Sequence, residues 1–355
     1  MNHLELFAGI GGFRLAMEYI GKDLAFPIRT VGFSEIDEKA KKTYKANFCT
    51  DSELDIGDIV EFINDSERFN NIEHFDLLSG GFPCQTFSMM GKRKGFDENR
   101  GQMFFRIMDI VEKYYPRYIL LENVKNLVTH DKSRTINVIK SKLEDAGYFV
   151  HYDIFNSVEF GLPQKRNRTL IFARLKEFGD FEFGKDLVLE SFHSINNDKC
   201  SLAFYKDVVE VLSDKVDAKY YLSERIKPTI LSNGSAKFIS NSDIDQIIAR
   251  PLTASMHKMH RACQDNYYSD PFIASKGKIR PSENLCKEDL AKLPIRRITP
   301  QEAFLLQGFP MIFAQNGHDA KVADGALYKQ AGNAVSVNMI YAVLHYLISN
   351  KIMIQ

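Results

Sequence analysis

The chain has 355 residues, 45% hydrophobic and 26% charged, the proportions of an ordinary folded protein with room for about two domains. Its apolar runs, such as Tyr118-Ile119-Leu120-Leu121, are strand-sized, and the N-terminus enters an apolar strand (Leu4, Leu6, Phe7) without a signal-peptide layout; no membrane association and a cytoplasmic location are expected. Lys plus Arg and Asp plus Glu both total 46, so net charge neither favours nor excludes nucleic acid, although short basic clusters could form a phosphate track if they converge on one cleft.

From the start to about Arg174, strand-like runs (Leu4–Phe7, Thr30–Ser34, Phe75–Ser79, Tyr118–Leu121, Phe149–Asn156, Thr169–Ala173) alternate with helical periodicity, as in Phe104–Tyr114 and Thr135–Ala146. That alternation predicts an α/β fold, an open and mainly parallel sheet with helices on both faces and ligands at the carboxyl ends of its strands. From about Lys185 to Lys292 short apolar runs are broken by Asn, Ser, Asp and Gly, and a smaller, irregular β-rich domain is expected. Thr299-Pro300 opens a helix over Gln301–Gln307, and the apolar helix Val337–Ile348 is expected to return to the first domain. The expected division is a first domain of residues 1–185, completed by 325–355, and a second domain with its hinge over 186–324.

The first strand runs into Phe7-Ala8-Gly9-Ile10-Gly11-Gly12, where glycines let a ligand approach the main chain. The third glycine comes too early for a dinucleotide pyrophosphate site. Glu35, ending the second strand, is placed for ribose hydroxyls, and Asp58 offers a second carboxylate. Each acid could equally be a loop carboxylate or a helix cap.

Five scattered cysteines without a Cys-x-x-Cys pair suit neither a disulfide framework nor structural zinc. Cys84 stands out, because it follows a strand and the turn Gly80-Gly81-Phe82-Pro83, with Lys92, Arg93 and Lys94 nearby to favour a thiolate. Glu122, in Leu121-Glu122-Asn123-Val124, ends the next strand. Gln164-Lys165-Arg166-Asn167-Arg168 leads into another. A nucleophile, a carboxyl group and an arginine at neighbouring strand ends suit an activated-nucleophile reaction.

These motifs, followed by Gly332-Asn333-Ala334-Val335, occur in the order seen in cytosine-C5 DNA methyltransferases, and Gly81–Val111 resembles the small bacterial, restriction–modification members nearly throughout. The resemblance spans residues 1–175 and 294–345. It implies a Rossmann-like S-adenosyl-L-methionine-dependent methyltransferase domain with a target-recognition domain, double-stranded DNA as partner, a monomeric state and, in such systems, an independently acting restriction endonuclease. The implied catalytic residues are Cys84 as nucleophile, Glu122 at cytosine N3, Arg168 at the cytosine carbonyl and Arg166 as organiser of the site. The implied cofactor residues are Phe7, Ala8, Gly9, Gly11, Gly12, Glu35, Ile36, Asp58, Ile59, Pro83, Met103, Asn333 and Ala334. Ile36 stands where relatives carry tryptophan, and Ala334 replaces a frequent serine.

For DNA, the resemblance points to Lys92, Arg93, Lys94 and to Arg250-Pro251-Leu252-Thr253-Ala254, similar to a Thr-Leu element near the flipped base with Pro251 in place of threonine. Met90 takes the loop position that fills the vacated base's space, or simply packs on protein. His257, Lys258 and Arg261 are read as groove or phosphate contacts. His257, His260 and Cys263 drift off one helix face and lack a fourth ligand, so no metal is expected. A tRNA cytosine methyltransferase is the nearest rival, but its Cys-Phe-Thr hallmark is absent. An inactive DNA-binding relative should have lost Cys84, Glu122 or Arg168, and a Rossmann oxidoreductase would not carry the Pro-Cys and Gln-x-Arg-x-Arg elements.

Overall fold

The structure, a computed structural model, describes residues 1–83, 103–195, 199–232 and 243–354, and the backbone of 234–235 and 238–239. Cys84, Met90, Lys92, Arg93 and Lys94 lie outside the described residues.

A seven-stranded sheet forms the centre, with β1 (Asn2–Leu6), β2 (Arg29–Phe33), β3 (Leu54–Asp55), β4 (Leu77–Gly81), β5 (Tyr118–Val124), β6 (Tyr148–Asn156) and β7 (Asn167–Leu175) in the order β3-β2-β1-β4-β5-β7-β6. Pairings β3–β2, β2–β1, β1–β4 and β4–β5 are parallel, while β7 runs antiparallel to both β5 and β6. The order reverses between β1 and β4, and a doubly wound sheet opens a ligand crevice at such a point.

Side chains alternate across the pleat, so Leu4, Leu6, Leu78, Ile119 and Leu121 pack on one face and Leu77, Tyr118, Leu120, Leu170 and Phe172 on the other. Helix Met103–Tyr114 covers the first face with Phe104, Ile107, Met108 and Val111, the i, i+3, i+4, i+7 stripe of an amphipathic helix. On the second face the closing helix Val337–Ser349 packs against Gly12–Asp23 and Lys185–His193. Val337, Ile340, Val343, Leu344 and Leu347 are fully buried there, each worth about 1.5–3 kcal/mol relative to exposure. The stretch Asp324–Ser349 is long and apolar enough to cross a membrane, but 83% of its most apolar window is buried within the fold.

The expected division at 185/186 falls inside helix Lys185–His193, whose Val188 and Phe192 join the main core. Phe304, Phe309 and Phe313, from the segment expected in the second domain, also join it, beside Tyr44 and Phe48. Helix Pro300–Leu305 starts with proline at its first turn and a reciprocal Thr299–Glu302 capping box. Leu222, Ile230, Leu231, Ile244, Tyr267, Leu290 and Ile295 form a small separate core. Strand among the described residues of 186–293 amounts to Tyr267–Ser269, paired with Ile295–Arg297, and Gly234–Ser235 paired with Phe238–Ile239. The region is irregular, and a β-rich character is not seen among its described residues.

Candidate active site

β1 ends in a tight turn in which Phe7 takes φ 53° and Gly9 φ 58°. A bulky residue at positive φ is strained, and such strain persists where surrounding structure over-determines it. The turn is pinned to β2 by Ala8 N–H donating to Ser34 O (2.8 Å) and to Glu35 by Gly9 N–H donating to its Oε2 (2.8 Å). Asp37 N–H donates to the other Glu35 oxygen at 2.7 Å. Burial pushes the Glu35 carboxyl above its ordinary range, against the pull of these N–H donors. Asp58 caps helix Ile59–Asn64, its Oδ1 accepting from Val60 N–H at 2.7 Å.

On the other side of the switch point, register places Gly81 opposite Glu122 and Val124 opposite Arg168. Glu122 and Val124 share a face, so Arg168 is the diagonal neighbour of Glu122 across the β5–β7 pair. Arg168 Nε meets Glu122 Oε1 at 2.6 Å, with both side chains largely buried. A Cβ on Gly81 would approach Glu122 Oε2 to 3.3 Å, so glycine leaves room for the carboxylate. Asn123 Nδ2 donates to the Phe82 carbonyl at 2.9 Å, holding the turn that leads to Cys84.

Arg166 is 1% exposed. Its guanidinium donates to the carbonyls of Leu252 (3.1 Å), Gly332 (3.1 Å) and Ala334 (2.7 Å). Gln164 accepts from Leu252 N–H (2.9 Å) and donates to Leu306 O (2.8 Å). The Arg250–Ala254 segment is thereby strapped to the start of β7. A Cβ on Gly332 would fall 2.3 Å from the Thr253 carbonyl carbon, so only glycine admits this backbone approach.

These elements enclose a cleft of about 1470 Å³. Of the sequence-predicted residues, Phe7, Gly9, Glu35, Ile36, Asp58, Ile59, Pro83, Met103, Glu122, Arg166, Arg168, Leu252, Thr253 and Asn333 line it. Four cofactor candidates are not among the lining residues. Ala8 is buried, and Ala334 supplies a carbonyl to Arg166. Gly11, at φ 84°, and Gly12 are packing glycines: a Cβ would meet the Phe48 ring at 2.3 Å and the Val335 side chain at 2.4 Å. Arg250 is held outside the lining, its N–H donating to Asn266 Oδ1 (2.8 Å) and its guanidinium to Asp265 O (3.2 Å).

His257, Lys258 and Arg261 also stand outside the lining, on the loop that continues from Ala254. His257 Nδ1 pairs with Ala254 O (2.9 Å), and Arg261 donates to Gln264 Oε1 (2.7 Å). Asp37, Lys329 and Gln330 line the cleft without having been expected there. Lys329 and Gln330 precede the recognisable Gly332-Asn333 by only two to three residues, which is the one signal that could have drawn attention to them.

The family model for C-5 cytosine-specific DNA methylases matches residues 1–349. Type II methyltransferase M.HpaII of Haemophilus parainfluenzae is 35% identical over 348 residues, covering 96% of this chain and 87% of that protein. Type II methyltransferase M1.ScrFI of Lactococcus lactis subsp. cremoris is 36% identical over 351 residues, covering 96% and 76%. Among solved structures, the Entamoeba histolytica methyltransferase EhMeth aligns with a TM-score of 0.73 at 22% identity, covering 99% of this chain and 98% of that one. The S. pombe Dnmt2 methyltransferase aligns at 0.75 and 19% identity, covering 99% of both chains; these two similarities speak for the fold. The chain belongs to the C-5 cytosine-specific DNA methylase family and is a DNA (cytosine-5-)-methyltransferase.

Proposed function

We propose that the enzyme transfers a methyl group from S-adenosylmethionine to carbon 5 of a specific cytosine in double-stranded DNA, flipped out of the duplex and held covalently through Cys84. The observation that carries this reading is the Glu122–Arg168 pair in the wall of a cleft that Pro83, the residue before Cys84, also lines. Cys84 thiolate adds to carbon 6, which makes carbon 5 nucleophilic. Glu122 holds the proton at N3 and draws charge from the ring, while Arg168 contacts the cytosine carbonyl and keeps Glu122 oriented. After transfer a base removes the carbon-5 proton and the Cys84–carbon 6 bond breaks. A base stacked in duplex DNA is out of reach of this chemistry, hence the flipping.

S-adenosylmethionine supplies an electrophilic methyl group on a sulfonium. The lining suits it: Ile36, 69% exposed, leaves a large apolar face uncovered beside the Glu35 carboxylate. Glu35 retains acceptor capacity for ribose hydroxyls beyond its two N–H partners. The Phe7–Gly9 backbone, Asp58, Met103 and Asn333 would hold the rest. Residues near 186–293, of which Leu222, Ile230, Leu231, Ile244, Tyr267 and Leu290 pack in a small core of their own while others join the main core, would read the DNA. The Type II names of the relatives favour a modification role beside a cognate endonuclease.

The test is expression in a host lacking cytosine methylation, followed by bisulfite sequencing of its DNA. Protected cytosines within one short sequence are expected. Fully converted DNA would overturn the reading, and protection confined to RNA would transfer the activity to that substrate.

A further inference from the structure

At the adenosine end of the cleft the five consecutive residues Ser34–Glu38 line the wall, among them Glu35, the exposed Ile36 and Asp37. Asp37 is fixed in two ways. Its Oδ1 caps helix Glu38–Asn47, accepting from Lys39 and Ala40 N–H at 3.0 and 3.3 Å, and its own N–H donates to Glu35. Its remaining oxygen, Oδ2, meets Lys329 Nζ at 2.6 Å, from a residue 292 positions away on helix Asp324–Asn333. Gln330, the next residue, accepts from Thr43 Oγ1 at 2.9 Å in a buried bond between the same two helices. Partial burial would raise the Asp37 carboxyl, but Lys329 and the helix N–H groups outweigh it and leave it below its ordinary range.

Lys329 is thus a partner of the residue that orients Glu35, and it lines the cleft itself. We propose that Lys329 is a positioning residue for the cofactor, its ion pair with Asp37 bracing the Glu35–Ile36 shelf against helix Asp324–Asn333 so that the adenosine side of the pocket keeps its shape. The buried Thr43–Gln330 bond fixes the same two helices beneath the half-exposed ion pair. This rests on the reading of the cleft as the S-adenosylmethionine pocket. An ion pair that braces the wall of a pocket slows release of the bound molecule, whereas one that only decorates the surface does not.

The probe is S-adenosylhomocysteine, which carries no net charge, so salt acts on the ion pair rather than on the ligand. Its affinity and dissociation rate are measured for wild type, Lys329→Met and Lys329→Arg at low and high salt. Lys329→Met is expected to weaken binding roughly two- to fivefold through faster dissociation, the range of a solvent-accessible ion pair. Lys329→Arg should restore it. Wild type should weaken toward the Lys329→Met value as salt rises, while Lys329→Met stays nearly level. DNA affinity without cofactor and the melting temperature separate this from general destabilisation, since a structural role moves them and leaves the salt signature absent. Equal binding by wild type and Lys329→Met, or a loss that Lys329→Arg does not restore, overturns the proposal. Failure of wild type to bind the probe at all would instead overturn the cofactor pocket.

Discussion

Arg166 Nη2 donates to the Ala334 carbonyl at 2.7 Å, joining the entry to β7 with a residue 168 positions further on. With Leu252 and Gly332 on the same guanidinium, one buried side chain ties the central sheet, the Arg250–Ala254 segment and the end of helix Asp324–Asn333. These three carbonyls occupy both Arg166 Nη atoms inside the fold.

Arg166→Ala should cost about 3 kcal/mol or more in denaturant unfolding, because three buried carbonyls lose a charged donor. The conservative change Arg166→Lys should not restore that stability, because an ammonium lacks the planar fork. An Arg166→Ala protein with wild-type stability and a large loss of turnover would return the residue to direct chemistry.

Cys84→Ala should abolish methyl transfer while leaving cofactor and DNA binding measurable. DNA with 5-fluorocytosine at the target should trap wild type covalently, since fluorine cannot leave as a proton does. Denaturing electrophoresis reads the adduct, and its persistence in the Cys84→Ala protein would assign the nucleophile elsewhere.

Glu122→Gln keeps the shape of the side chain but removes the charge that meets Arg168 and the proton destined for N3. Turnover should fall roughly a hundred- to ten-thousandfold, with DNA affinity little changed. Near-normal single-turnover rates would show that the N3 role lies with another group.

The loop beyond Ala254 offers a contrast. Lys258 is exposed, and Lys258→Ala should weaken all DNA sequences alike and lower the salt slope by about one. Arg261→Ala should cost about 1–3 kcal/mol, mainly at one position of the site. Affinity against salt for the target and its single-base variants distinguishes the two, and cofactor affinity should not move.

His3 sits inside the sheet between Thr30 Oγ1 (3.1 Å) and Ser79 Oγ (2.7 Å). Burial, aided by the charge of Arg14, lowers its pKa from 6.5 to about 3. The neutral ring therefore contributes its full stability above pH 6.5 and loses it as pH falls toward 3, by at most about 1.4 kcal/mol per unit. Urea unfolding at pH 7 and pH 5 should show a smaller pH dependence for His3→Gln than for wild type. Equal slopes would mean that other groups set the acid response.

The amino-acid sequence by itself determined the alternating sheet-and-helix order and the residues that end its strands, because hydrophobic period and glycine turns are local properties. Six strands were placed within a few residues of their ends, and Glu35, Glu122 and Arg168 were placed at the cleft on that basis. The two-residue strand Leu54–Asp55 is too short to show a period, and only its end is legible, from the Gly57-Asp58-Ile59 turn that follows it. Tertiary structure alone decided which atoms the glycines and arginines meet. Gly11 and Gly12 are read from sequence as an opening in the main chain, and the fold adds that Phe48 and Val335 occupy the space a side chain there would need. Arg166 and Arg168, two residues apart, both line the cleft but take different partners, Arg166 the carbonyls of Leu252, Gly332 and Ala334 and Arg168 the Glu122 carboxylate. Lys329 meets Asp37 across 292 residues, a contact no local pattern encodes, since it exists only when the closing helices return to the sheet.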